Sequence, residues 1–347
     1  KAMILSKIGG KFLWTKYQNH CRSYVNVYPK WKKDFYLDSL EHIHSSSELK
    51  RIVSLKNYIA KSPENSIPIS DVSKQGFRFD VKIRVAAFLR KYPSIFDEFV
   101  GPNHNLPWFR LTNEALEVHS EEAELFENRM DDLTLRLKKL IAMSKAKALP
   151  IKIVKAFLWH LGLPHDFTER IPDGCFEVVD LGDGAKGLAL KKEEKFQSVI
   201  QSTAAVSKQP PDFRLFPSKG LRLRAEINDW LAEFQKIPYV SPYDDFSGIN
   251  PSSDLAEKRL VGFLHELLAL FVDHSSQRRK LLCMKKPFGL PQKFHKAFER
   301  HPHIFYLSPR NGTCTAILKE AYSDEAAIAK HPMLEVRKKY VQLMEQS

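Results

Sequence analysis

The residues of this sequence with the clearest capacity for chemistry are cations that recur at matched spacing. Lys139-Leu140-Ile141-Ala142-Met143 and Lys145 align without gaps with Lys280-Leu281-Leu282-Cys283-Met284 and Lys286. In the same register Leu149-Pro150, Lys152, Lys155, Ala156, Phe157 and His160 fall on Leu290-Pro291, Lys293, Lys296, Ala297, Phe298 and His301. A self-match of this kind marks a duplicated unit. Recurring apolar positions follow from a core, whereas recurring exposed charges do not. Ammonium and guanidinium groups on a solvated helix face can track phosphates, a chemistry with steep salt dependence. Arg136, Lys138, Lys147, Arg279 and Lys285 flank the repeated lysines, and the whole set is the candidate nucleic-acid-contacting surface.

Other chemistries lack their apparatus. The sequence has no G-x-x-x-x-G-K-[ST] loop, no G-x-S-x-G elbow and no H-E-x-x-H helix, which argues against NTPase, hydrolase and zincin activity. Gly182 to Gly187 lies between two apolar β runs and does not open a helix, so it reads as a hairpin turn rather than a phosphate cradle. Asp244-Asp245 and the acids Glu121, Glu122, Glu124, Asp131 and Asp132 are clustered in sequence, but a nuclease needs acids that converge on cations. Cys21, Cys175, Cys283 and Cys314 are far apart and form no C-x-x-C pair, as expected for free thiols in a reducing compartment. His160, His165, His301 and His303 read as packing or surface residues, so no metal and no cofactor is expected. Tyr92, Trp108, Phe109 and Trp159 are aromatic candidates for stacking on bases, and each lies in a segment that also reads as core.

The wider composition agrees with a polyanionic partner. Fifty-four Lys and Arg face 41 Asp and Glu, a formal net charge of +13, and 43% of the residues are hydrophobic. Such a chain can build a core and attracts nucleic acid at long range. The apolar run Val261 to Val272 is interrupted by Gly262, His265 and Glu266 and is shorter than the ~20 residues of a membrane helix. Membrane insertion and small-molecule turnover are therefore not expected.

These cations must be held by elements whose signals are mainly helical. Leu49, Ile52, Val53, Leu55, Tyr58 and Ile59 predict a helix within residues 34–62, and Val85, Phe88, Leu89 and Tyr92 predict another ending at Pro93. Asn113 to Asp132 reads as an acidic helix. A basic helix from about Leu133 to Lys147 puts Leu133, Leu137, Leu140 and Ile141 inward, followed by another with Ile153, Phe157, Leu158 and Leu161 inward. Trp108 to Leu111, Phe176 to Val179 and Ile304 to Leu307 read as strands, with turns at Gly182-Asp183-Gly184 and Asn311-Gly312. A fainter match of Lys91-Tyr92-Pro93-Ser94-Ile95-Phe96 to Arg300-His301-Pro302-His303-Ile304-Phe305 raises the number of units to three. The expected fold is mostly α with short β-hairpins, in the α+β class, built from repeated winged-helix-like, helix-turn-helix modules. The expected organisation is a basic N-terminal arm (1–33), two repeat units (34–192), a linker (193–217), a third unit (218–322) and a helical tail (323–347).

The segments Leu49 to Pro63, Phe88-Leu89-Arg90-Lys91-Tyr92-Pro93-Ser94-Ile95-Phe96, Leu106-Pro107-Trp108-Phe109-Arg110-Leu111-Thr112, Leu135 to Phe167 and Leu290 to Tyr322 resemble the plant organelle RNA recognition (PORR) family. That resemblance covers nearly everything from Asp34 to Tyr322. It implies a non-catalytic, RNA-binding protein of a plant organelle, the mitochondrion in preference to the chloroplast, acting on structured RNA in group II intron splicing. It supplies no catalytic residues and no RNA-contact residues, so the site rests on charge alone. Residues 1–33 lie outside the pattern and carry eight basic residues with no acid before Asp34. They read as a presequence or its remnant, or as an ordered arm held by a large partner. The second case would fit a structural subunit of the mitochondrial ribosome, bound to ribosomal RNA and to other proteins of a large ribonucleoprotein. An RNA-processing enzyme is the remaining alternative.

Overall fold

The computed structural model describes residues 33–44, 47–62, 64–74, 81, 84–101, 106–172, 174–182, 184–217, 224–309, 314–323, 328 and 330–347, with backbone alone for 40–44 and 47. The basic arm before Lys33 and the expected Asn311-Gly312 turn lie outside these residues. The chain forms two compact units, residues 40–130 with 331–347, and residues 1–39 with 131–330.

Helices α1 (Phe35–His44) and α2 (Ser47–Ala60) stand where a single helix is expected over residues 34–62. Strand β1 (Ser66–Pro68) and helix α3 (Ile69–Lys74) follow, then α4 (Val85–Arg90) and a hairpin of β2 (Phe96–Val100) and β3 (Pro107–Leu111). Thr112 then accepts the Ala115 N–H through Oγ1 at 3.2 Å and the Leu116 N–H through its carbonyl, opening α5 (Asn113–Ala142). The expected acidic and basic helices are thus one helix of 30 residues. A change of charge sign does not interrupt backbone bonding, and no Gly or Pro lies between Asn113 and Ala142. Next come β4 (Ala148–Pro150), α6 (Ile151–Leu161), a 3-10 turn at Phe167–Glu169, and the hairpin of β5 (Phe176–Asp180) and β6 (Lys186–Leu190). The Ser-, Gln- and Pro-containing stretch after Lys192 includes helix α7 (Val199–Ser207), opened by a capping box between Ser198 and Gln201. Helices α8 (Ala225–Lys236) and α9 (Asp254–Leu270) precede β7 (Ser275–Gln277), α10 (Arg278–Leu281), α11 (Ala297–Arg300), the strands β8 (Phe305–Ser308) and β9 (Thr315–Leu318), and finally α12 (Met333–Glu345).

Among the described residues there are three sheets, each three-stranded and antiparallel, in the same spatial order: β1-β3-β2, β4-β6-β5 and β7-β9-β8. A long helix leads into each. The turn before each first strand is also the same, because Asn65, Lys147 and His274 have φ of 50°, 51° and 44° and donate to the carbonyls of Ser62, Ser144 and Phe271. The Oγ atoms of Ser62 and Ser144 repeat one pattern as well, bonding Ile59 O and Ser66 O in one case and Ile141 O and Ala148 O in the other.

These equivalences correct the register of the lysine self-match. Lys139 lies in the helix before the first strand of its repeat, whereas Lys280 lies in α10, after the first strand of its own. The structural counterparts are Gly162-Leu163-Pro164 and Gly289-Leu290-Pro291. Both glycines have positive φ, both leucines donate five residues back, and Phe167 and Phe294 donate to the two prolines. The fainter match does coincide with structure: the N–H groups of Ile95 and Phe96 share the Tyr92 carbonyl as those of Ile304 and Phe305 share that of His301.

The expected inward faces are in the core, with Leu133, Leu137, Leu140, Ile141 and Leu161 fully buried. On α6, Val154 takes the inner position and Ile153 is half-buried. Helix α9 is buried along nearly its whole length, and its apolar run is therefore a core helix. No described helix is long and apolar enough to cross a membrane.

Candidate nucleic-acid interface

All of the candidate cations belong to the unit formed by residues 1–39 and 131–330. The structure divides them by what their charged ends already do. Arg136 pairs with Asp132 at 3.0 Å and donates to Leu270 O at 2.9 Å. Lys138 pairs with Glu194 at 2.8 Å, a bond that raises its pKa. Lys139 donates to Gln197 O at 2.9 Å and stands 3.5 Å from Glu266, whose carboxylate also accepts from Tyr243 and from the Val199 N–H. Lys147 supplies the left-handed turn residue, and its Nζ donates to Ala142 O at 2.6 Å and Tyr243 O at 3.2 Å. Burial pulls the Lys147 pKa down. These four cations are committed to the protein's own fold.

Lys138 also has a place in the repeat that marks it as structural. Lys56 and His265 occupy the corresponding helix positions, and each meets a glutamate from the chain after its hairpin. Lys56 pairs with buried Glu122, and His265 Nε2 lies 2.8 Å from Glu320. Glu194, after β6, is the third of these acids. The basic residue closes each repeat against the segment leaving it.

Lys145, Lys152, Lys155, Arg279, Lys286 and Lys293 are exposed, and Lys280, Lys285 and Lys296 are half-buried. None of these side chains has a hydrogen-bond or ion-pair partner among the described residues. One member of the first group, Lys145, meets the loop that carries Lys285 and Lys286. Lys145 N donates to Pro287 O at 3.0 Å, which sets Lys145 beside Lys286, and its side-chain stem lies against Gly289. Here a glycine with φ 60° matters, since an added Cβ would crowd Phe246 at 3.2 Å. The turn after α5 thus brings Lys145 to the loop after α10 that carries Lys285 and Lys286, without equivalence in the repeat.

Of the aromatic candidates, Tyr92 and Phe109 are core residues at 3% and 0% exposure, and Trp108 and Trp159 are half-buried. Tyr92 belongs to a polar lock that the sequence reading missed. Glu48 accepts from Tyr92 at 2.7 Å and from Lys91 at 3.0 Å, and at the same positions of the third repeat Glu257 accepts from Arg300 at 2.7 Å and lies 3.2 Å from His301. The signal was available, because the Lys91-Tyr92 to Arg300-His301 match extends to Glu48 and Glu257 in the same register. His160, His301 and His303 are buried, and His165 is exposed. Cys175, Cys283 and Cys314 are free.

The chain is 58% identical over 337 residues to "Protein WHAT'S THIS FACTOR 9, mitochondrial" of Arabidopsis thaliana, covering 94% of this chain and 87% of that one. The mitochondrial location expected from the sequence agrees with that relative's name. It is 29% identical to "Protein WHAT'S THIS FACTOR 1, chloroplastic" of Zea mays, over 86% of this chain and 63% of the relative. It is 25% identical to "Protein ROOT PRIMORDIUM DEFECTIVE 1" of Arabidopsis thaliana, over 87% of this chain and 80% of that one. No solved structure matches. The family profile described as "Plant organelle RNA recognition domain" matches residues 32–347, and the chain belongs to that family.

Proposed function

We propose that this protein is a non-catalytic RNA-binding factor of the plant mitochondrion that holds structured RNA and promotes group II intron splicing. The observation that carries the reading is the convergence of Lys145 with the Lys285–Lys286 loop, which gathers cations without internal partners in a member of an RNA recognition family. Each repeat acts as a winged-helix-like module: the sheet and the long helix form the scaffold, and the loops between helices present charge. Affinity comes mainly from phosphate contacts and falls steeply with salt.

The test compares two sets of charge reversals in the full chain. Reversing Lys145, Lys152, Arg279 and Lys286 to Glu should lower affinity for a structured intron RNA and reduce the slope of log K against log salt by roughly 3, at ~0.7–0.9 per phosphate contact. Reversing Lys138 and Lys139 should lower the melting temperature instead. An unchanged salt slope in the folded quadruple variant would overturn the reading. For the splicing role, crosslinking and sequencing should recover intron RNA, and loss of the protein should leave unspliced precursors. Stable co-sedimentation with ribosomal particles in high salt would favour a ribosomal subunit instead.

A further inference from the structure

The outer face of the first sheet, β1-β3-β2, differs from its counterparts. Strand pairing sets Pro68, Trp108 and Phe99 in one row across this sheet and Ser66, Arg110 and Asp97 in the next row on the same face. The corresponding rows of the third sheet are Gln277, Thr315 and Ser308, then Ser275, Ile317 and Tyr306. There the face is closed by the chain's own residues. Asp38 accepts from Tyr306 at 3.0 Å and Ser308 at 2.7 Å, Asp34 N donates to Tyr306 Oη, and both β8 and β9 are buried throughout. In the second sheet the Trp108 position is Gly187, over which Leu181 lies.

On the first sheet this face is aromatic and partly exposed. Trp108 and Phe99 are half-exposed, with ring centroids 6.4 Å apart. The Arg110 guanidinium lies 4.9 Å from the Phe99 centroid and is itself exposed. The pyrrole side of the indole rests on the Gly101 backbone, so closely that a Cβ there would fall 1.8 Å from Trp108 Cδ1. That support fixes the ring's position. The two acids of β2 are each taken by an arginine, Asp97 by Arg110 at 2.8 Å and Glu98 by Arg90 at 2.6 Å. Two rings and a guanidinium plane lying against one of them, with Asp97 and Glu98 both paired to arginines, offer flat faces that match a nucleobase.

We infer that the Trp108–Phe99–Arg110 face of the first sheet is a stacking platform for an unpaired nucleobase of the bound RNA. The inference rests on the RNA-binding reading above and adds to it a site in the other compact unit with a different chemistry. Stacking on aromatic side chains tolerates any base and responds little to salt, unlike the phosphate contacts.

The experiment uses the full chain and two probes, a labelled 12-nucleotide oligouridylate and the same oligomer without bases. Trp108→Ala and Phe99→Ala should each weaken oligouridylate binding about tenfold, leave its salt slope unchanged and leave the abasic oligomer unaffected. Gly101→Ala, which displaces the indole without removing it, should act in the same direction, and Trp108→Phe should retain most of the affinity. Ultraviolet crosslinking should place a uridine adduct on this face. Equal losses on both probes, unchanged affinity in the folded variants, or a peptide rather than a base crosslinked here would overturn the inference. Failure of the wild type to bind oligouridylate while it binds structured RNA would do the same, whereas failure to bind either would remove the RNA-binding reading itself.

Discussion

Glu257 accepts from Arg300 through both carboxylate oxygens at 2.7 Å and lies within 3.2 Å of His301. Burial favours its neutral form, yet the His301 bond and the Arg300 charge prevail and hold its pKa down to about 2, against 4.5 for a free glutamate. A depressed carboxylate stabilises the fold above the unfolded pKa, and that contribution is lost as pH falls from about 4.5 to about 2. Glu257→Gln should therefore lower stability at pH 7 by on the order of 3 kcal/mol and flatten its acid dependence in that window, as measured by urea unfolding. His303 gives the opposite chemical case. Burial, with Lys319 and His301 nearby, pulls its pKa down to about 4, so the unfolded chain takes up a proton below pH 6.5 that the folded chain refuses. Stability should decline as pH falls from 6.5 towards 4, and His303→Asn should remove part of that slope in a series of melting curves. Lys56 is fully buried against Glu122, with His119 2.9 Å away. Glu122→Ala removes the counter-charge of the buried ammonium and should cost about 3–5 kcal/mol. A Lys56→Met, Glu122→Leu double variant should recover much of that loss.

At the scale of elements, the left-handed residue before each first strand sets how helix and sheet join. Asn65 tolerates φ of 50°, whereas a β-branched residue does not. Asn65→Val should destabilise by about 1–2 kcal/mol, read by denaturant titration, and Asn65→Gly should be nearly neutral. The same turn fixes Lys147, whose backbone is at φ 51° and whose side chain closes onto Ala142 and Tyr243. Helix periodicity placed the apolar stripes of α5 and α6 well, because burial of Leu133, Leu137 and Leu140 follows from spacing alone. Strands β3, β5 and β8 were legible from β-branched and aromatic runs, whereas the three-residue strands β1, β4 and β7 are too short to show alternation and were not. The register of the repeat was not, since Lys-Leu-x-x-Met matches by composition while Gly-Leu-Pro, the structurally equivalent triplet, carries the positive φ and the turn bonds.

Over the whole molecule, the sequence by itself determined the net charge of +13, the helical character with short hairpins, the recurrence of a unit, and the family. These are sums or local patterns, and they need no knowledge of which residues meet. Tertiary structure decided which cations remain available. As basic residues flanking one apolar stripe, Arg136, Lys138, Lys139 and Lys147 read in the sequence as the same kind of candidate as Lys145, Lys152 and Lys155. Their difference lies in acids and carbonyls distant in sequence: Glu194, Gln197, Glu266, Leu270 and Tyr243. Tertiary structure also opened the Trp108 face on one sheet and closed its counterpart with Asp34 and Asp38. A charge or a ring is written in the sequence, but whether it is spent inside the protein or offered to a partner depends on long-range neighbours that only the folded chain brings within bonding distance.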